Sequence, residues 1–143
     1  MNIKIIVVGK IKEKIFQERI YEYIKWIRQD ARIEIVFLKD NNTKKLDQKL
    51  SSYISSKIHT ICVSEEGSQF SSKQFSKLIF ETTRNLTFFI GGPDGHSEMV
   101  RKETNSILSL SKMTLPHEMA LLVLTEQIFR AISIKKGSKY HRE

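Results

Sequence analysis

The 143-residue chain contains a single cysteine, Cys62, which excludes both an intrachain disulfide and a CxxC zinc site. Cys62 lies in the apolar run TICVS, where a buried, inert thiol is expected rather than a nucleophile. Long hydrophobic runs are also missing. The apolar stretch in MNIKIIVVGK is too short to span a membrane and lacks the small-residue cleavage site of a secretory signal. Read as the first strand of a folded domain, it makes a cytoplasmic location the expectation. Neither GxGxxG nor GxxxxGK[ST] occurs, which removes the Rossmann and P-loop readings. There is no GxSxG elbow. The four histidines, His59, His96, His117 and His141, show no metal-ligand spacing. These absences point away from dehydrogenases, kinases and hydrolases, toward group transfer without a metal or a covalent intermediate.

What is present is positive charge. The net charge of +8 attracts polyanions, with nucleic acid the leading candidate and an anionic membrane the lesser one. With 40% hydrophobic and 28% charged residues, the chain has a globular composition. Its length suits one domain spanning residues 1–143, with no repeat or linker to divide it.

The pattern along the chain alternates. Ile3 to Val8 is β-branched and nearly all apolar, as in a buried parallel strand. From Lys12 to Arg28, apolar residues at Ile15, Phe16, Ile20, Tyr23, Ile24 and Ile27 mark one helical face. Further strands are expected at Ile33–Leu38, Ile58–Val63 and Leu86–Ile90. Between them lie a helix capped by Thr43 and running to about Ser56, the polar loop Ser64–Gln69, and a helix capped by Ser71 or Ser72. The alternation predicts an α/β domain with a mostly parallel sheet and helices on both faces.

The last third differs. A short helix around Ser97–Thr104 precedes SILSLSKMTL, a fifth strand and its exit loop, and Pro116 opens a helix at its first turn. From Glu118 to about Lys135, apolar residues occupy nearly every face, so this helix is expected either in the core or against a second subunit. GGPDG at 91–95 follows a strand and precedes a helix, at the carboxyl end of the sheet where ligands bind in open α/β folds. Spacing alone also allows a simple turn there. The end of the chain, SKYHRE, reads by composition as a frayed basic tail.

Taken together, FFIGGPDGHS, LSLSKMTLPHEMALLVLTEQIFRA, the terminal YHRE and VVGK near the start resemble the SPOUT-class methyltransferases. Within that class the chain is most similar to the RlmH family of 23S rRNA pseudouridine N3-methyltransferases. The resemblance spans essentially the whole chain. It implies a carboxyl-terminal trefoil knot over about residues 86–135 that binds S-adenosylmethionine. Matching positions for the cofactor are Val63, where the family often has leucine, Gly91, and the loop Leu110, Ser111, Lys112, Met113, Thr114 and Leu115. Without the resemblance, Leu110 and Leu115 read as ordinary core residues. The implied reaction is methyl transfer to N3 of a pseudouridine in the 23S rRNA stem-loop that faces the decoding centre, in the assembled ribosome and with no metal. The implied substrate-binding or catalytic residues are Tyr140, His141 and Arg142, with Arg130 and His117 as further candidates. Arg130 reads equally as a salt-bridge residue and His117 as a helix cap. The resemblance also implies a homodimer, in which the tail of one subunit lies near the cofactor of the other. Three other readings remain: a SPOUT enzyme acting on another rRNA or tRNA base, a non-catalytic ribosome-binding factor and, disfavoured by the absent phosphate motifs, an anion-binding metabolic enzyme.

Overall fold

Strand and helix alternate through a computed structural model that describes residues 1–142. The order is β1 (Asn2–Val8), α1 (Lys14–Ile27), β2 (Arg32–Leu38), α2 (Thr43–Ser51), β3 (Ile58–Gln69), α3 (Ser72–Glu81), β4 (Asn85–Ile90), α4 (Glu98–Glu103), β5 (Ser106–Ser109) and α5 (His117–Lys136). The strands form one sheet in the order β2-β1-β4-β3-β5, and every pairing is parallel. Parallel strands require crossovers, and the helices supply them on both faces.

The period-two alternation of the strands sorts their side chains into two cores. Ile3, Ile5 and Val7 of β1 join Leu86, Phe88 and Ile90 of β4 beneath α1, α3 and α5. Ile6, Cys62 and Phe89 face the other way, against Leu50 of α2 and Val100 of α4. Each fully buried Ile, Leu or Phe side chain contributes about 1.5–3 kcal/mol of transfer free energy. The first core holds far more of them and includes the buried α1 residues Ile20, Ile24 and Ile27.

The breadth of apolar surface on α5 is used within the chain. Ala120, Leu121, Leu124, Ile128, Ala131 and Ile132 are buried in the first core. Phe129 meets Tyr23 and Trp26 of α1, at ring-centroid distances of 6.1 and 5.4 Å. On the α3 side, Ser76 Oγ donates to the Ala131 carbonyl at 2.7 Å. Of the two expectations for this helix, core burial is therefore what the fold displays.

Four local expectations change. Asn42, not Thr43, caps α2, its side chain accepting from Lys45 N, and α2 stops at Ser51 rather than about Ser56. Pro116 is the N-cap of α5 rather than a first-turn residue, with φ −56° and ψ 150°. The expected polar loop 64–69 is instead the second half of β3. A bulge between Val63 and Ser68 lets Ser68 and Gln69 resume pairing with Leu108 and Ser109. The α3 cap is Ser71, in a full capping box with Gln74.

Candidate active site

At the carboxyl ends of β3, β4 and β5 the loops enclose a pocket of about 610 Å³. Its walls come from separate elements. Val63 ends the first half of β3, Ile90 and Gly91 end β4, Leu110, Ser111, Met113, Thr114 and Leu115 form the β5–α5 loop, and His117 and Ala120 begin α5. Seven of the eight expected cofactor positions line it. The exception is Lys112, which is exposed and not part of the wall.

GGPDG is both a turn and a wall of the pocket. Gly95 N donates to the Gly92 carbonyl at 2.9 Å, and Gly95 adopts φ +73°, a left-handed conformation that glycine takes without strain. Folding the turn back brings Gly95 so close that a Cβ on Gly91 would lie 2.9 Å from its carbonyl carbon. The chain thus presents bare backbone to the pocket at this point. The opposite loop is held by its own side chains: Met113 N donates to Ser111 Oγ at 3.0 Å, and Thr114 Oγ1 to Glu65 Oε1 at 3.3 Å.

His117 lines the pocket, but its Nε2 donates to the Lys10 carbonyl at 2.7 Å. Glu118 accepts from Lys12 N and, at 3.1 Å, from Glu13 N. The first turn of α5 therefore clamps the loop after β1. Desolvation opposes ionisation of Glu118, but those two N–H groups together with His117 and Lys12 hold its carboxyl below the usual range.

Residues not singled out from sequence also face the pocket. His96 Nε2 lies 2.8 Å from the Val63 carbonyl, which can only accept, so Nε2 carries the proton. Burial above all lowers the pKa of His96; the Val63 hydrogen bond works against this and Arg101 adds to it. Glu65, Asp94 and Arg101 complete the polar part of the wall, with Arg101 paired to Glu66. The sequence signal for Glu65, Glu66 and Arg101 was weak, because 64–69 reads as loop. Cys62 is fully buried, and desolvation pushes its thiol up to about 12. Its burial is as expected.

The tail is ordered but lies apart from the pocket. Gly137, at φ +71°, ends α5 in a left-handed C-cap, and the chain folds back along the helix. Tyr140 packs edge-on to Phe129 at 4.8 Å and lies under the Arg130 guanidinium, 4.9 Å from the ring centroid. Glu126 organises the group. Its Oε1 accepts from Arg130 at 2.8 and 2.6 Å and from the Tyr140 hydroxyl at 3.1 Å. Arg130 in turn donates to His141 Nδ1 at 3.0 Å, which places that ring's proton on Nε2. Burial first, then hydrogen bonds involving Tyr23 and Glu126, push the Tyr140 phenol above its ordinary range. The hydrogen bond to Glu126 raises Arg130 likewise. Arg130 and Tyr140 are thus the donors of the cluster, and Glu126 and His141 Nδ1 its acceptors. Arg142 is exposed, and Glu143, the last residue of the expected YHRE motif, lies outside the described residues. None of Arg130, Tyr140, His141 and Arg142 lines the pocket of its own chain.

Among the described residues, no group of three or more His, Cys, Asp or Glu side chains could hold a metal ion, and no helix is long and apolar enough to cross a membrane.

A parallel sheet with a glycine-walled crevice at its carboxyl edge defines a class, and the comparisons agree. The chain belongs to the SPOUT methyltransferase family, since residues 1–141 match the family model described as "Predicted SPOUT methyltransferase". A curated relative from Streptococcus sanguinis (strain SK36), named Ribosomal RNA large subunit methyltransferase H, is 36% identical over 159 aligned residues. The alignment covers 99% of this chain and 100% of the relative. Proteins of the same name from Streptococcus uberis (strain ATCC BAA-854 / 0140J) and Latilactobacillus sakei subsp. sakei (strain 23K) are 38% identical, with the same coverage. Among solved structures, a probable methylase family protein from Haemophilus influenzae Rd KW20 superposes with a TM-score of 0.57 at 10% identity, covering 99% of this chain and 70% of that one. That likeness concerns the fold alone.

Proposed function

We propose that this protein methylates N3 of a pseudouridine in the decoding-facing stem-loop of 23S rRNA, in the assembled ribosome, with S-adenosylmethionine as methyl donor. The observation that carries the reading is a conjunction. Relatives named for large-subunit rRNA methylation match along their whole length, and the positions their resemblance implies for the cofactor converge on one pocket. We extend the reading to a cytoplasmic homodimer of one-domain subunits, with residues 86–135 tied in the trefoil knot.

The pocket fits the cofactor. Its volume of about 610 Å³ is ordinary for a small-molecule site. Val63, Leu110 and Leu115 offer apolar faces to sandwich an adenine, while the backbone at Gly91 and in the 110–115 loop offers N–H and C=O groups to read its edge. The sulfonium supplies an already activated methyl group.

The chain's own residues then have two tasks. The walls of the pocket hold the donor and exclude water. The second task concerns the acceptor, because N3 of a uracil ring is a weak acid and must lose its proton at or before transfer. Donors aimed at the flanking ring oxygens ease that loss by stabilising the anion. Arg130 keeps N–H groups beyond those it gives to Glu126 and His141, whereas the one Tyr140 O–H is donated to Glu126 and His141 Nε2 is buried. We therefore assign Arg130 to anion stabilisation rather than to the role of base, with Tyr140 and His141 holding it in place. Since they do not line their own chain's pocket, the dimer partner's tail completes each site.

The test is transfer of labelled methyl groups to 70S ribosomes from cells lacking this activity, followed by mass mapping. The expected product is one methyl group on a 23S pseudouridine. Label on tRNA or another base, or no binding of S-adenosylmethionine by calorimetry, overturns the proposal.

A further inference from the structure

Strands β2, β1 and β4 are neighbours, and their parallel register aligns Leu38 with Val8 and Ile90 with Val7. The chain therefore leaves three adjacent strands at one edge: toward Lys39 after β2, Lys10 after β1 and Gly91 after β4. Gly9 N donates to the Leu38 carbonyl at 2.8 Å, tying the first two exits together. A crevice of about 150 Å³ runs from Asp40, Asn41 and Thr43 at the start of α2 to Gly91, Gly92 and His96 of the pocket loop. Lys10, Lys39, Lys44 and Lys45 are exposed along this edge.

Among the described residues, ion pairs with carboxylates engage cations elsewhere, Lys4, Arg19, Lys77, Arg101, Lys102, Arg130 and Lys136 among them, while other surface lysines such as Lys25 and Lys57 are as free as those of this edge. Lys10, Lys39, Lys44 and Lys45 take part in no ion pair among the described residues. Three carboxylates lie nearby. Asp47 is turned inward, accepting from Ser97 Oγ, the α4 cap, at 2.6 Å. Asp40 and Asp94 line the crevice and leave the edge with a surplus of positive charge. The Asp47–Ser97 bond also fixes α2 against the helix that follows GGPDG, so the lysines stand at a set position beside the pocket mouth.

We propose that the α2 entry, with Lys39, Lys44 and Lys45 leading through Lys10 to the GGPDG loop, is the track that grips the phosphate backbone of the substrate RNA. The inference rests on the rRNA methyltransferase reading and deepens it. Phosphate contacts position a nucleic acid without reading its sequence, and each releases counterions, so their number is read from the salt dependence of binding.

The test compares Lys44→Ala/Lys45→Ala with a control pair at the other edge, Lys25→Ala/Lys57→Ala, using 70S ribosomes lacking the modification. For the α2 pair, KM for ribosomes rises about tenfold, and the log–log salt slope of binding becomes shallower by about 1–2. Turnover at saturating ribosome and calorimetric affinity for S-adenosylmethionine stay at wild-type values, and the control pair changes neither KM nor slope. An unchanged slope in the α2 pair, or an equal shift in the control pair, overturns the proposal. Loss of binding to phosphatidylserine vesicles with ribosome binding intact assigns the surface to a membrane and also overturns it. Wild-type protein that methylates no ribosome refutes the enzymatic reading instead, an outcome visible before any lysine variant is compared.

Discussion

The pocket and the tail cluster are built on opposite principles. The pocket is made of backbone, apolar walls and a polar side contributed by five elements, and one of its closely packed residues, Gly91, has no side chain at all. The tail cluster is made of polar side chains from one helix and the five residues after its cap, drawn together on a single carboxylate, Glu126. The first arrangement suits recognition of a flat, largely uncharged ring and a small donor. The second concentrates hydrogen-bond donors that would be costly to bury inside the first. Separating them lets each be stable in the free chain.

The sharpest way to break the comparison is to remove one side of it. Deleting residues 140–143 spares folding and cofactor affinity and lowers methyl transfer by about 10²–10³-fold, the usual range when a donor to a developing anion is lost. Mixed dimers of this truncation with a Gly91 variant recover activity, because each supplies what the other lacks. Melting curves, calorimetry and labelled-methyl transfer read these outcomes. Normal activity in the truncated protein would show that the cluster is ornament.

On the pocket side, Gly91→Ala forces a Cβ against Gly95 backbone at 2.9 Å, and backbone in a tight turn yields poorly. Overpacking strain of about 1–3 kcal/mol corresponds to a loss of cofactor affinity of about 5–150-fold by calorimetry. A smaller effect is expected from Glu126→Gln, which keeps the shape and removes the charge. Turnover falls about tenfold with cofactor affinity unchanged, the lower end of the loss of charge-assisted hydrogen bonds worth about 1.5–3 kcal/mol. Adding Tyr140→Phe then costs little more, because the two groups act in one network. Additive losses would mean that Glu126 and Tyr140 act separately.

The smallest expected effect is on stability and concerns pH. His96 is held below the ordinary imidazole value chiefly by burial, and His59 likewise by burial and then Arg84. A histidine with a lowered folded pKa binds protons more weakly than in the unfolded chain. Its contribution is therefore intact above the unfolded value of about 6.5 and is lost as the pH falls through the folded one. The melting temperature drops by a few degrees between about pH 7.5 and 5.5, and His96→Gln reduces that drop. A drop of the same size in the variant would assign the effect to other groups.

Much of this was legible in residue order. The β-branched run of β1, the apolar and aromatic run of β4, the spacing of Ile20, Ile24 and Ile27, and the Ser71 cap report local preferences that tertiary contacts reinforce. GGPDG was visible as a special stretch because only a folded-back turn needs so many glycines. The second half of β3 was not legible. SEEGSQ has no apolar alternation, and it becomes strand only because β5 offers partners beyond the bulge, with Gly67 allowing an approach that would put a Cβ 2.5 Å from the Ile107 carbonyl oxygen. Glu126 lay within the stretch EQIFRA that carries the resemblance, but nothing in the sequence showed that it would join Arg130 to Tyr140.

The sequence by itself determined the α/β class, the positive surface and the resemblance carried by GGPDG, TLPH and YHRE, because these depend on composition, period and short-range order. Only the tertiary structure decided that the tail is docked rather than frayed, that Tyr140 and His141 meet Glu126 and Arg130, and that they stand outside their own chain's pocket. The reason is physical: Arg130 and His141 are eleven residues apart, and they meet only because Gly137 turns the chain back along α5.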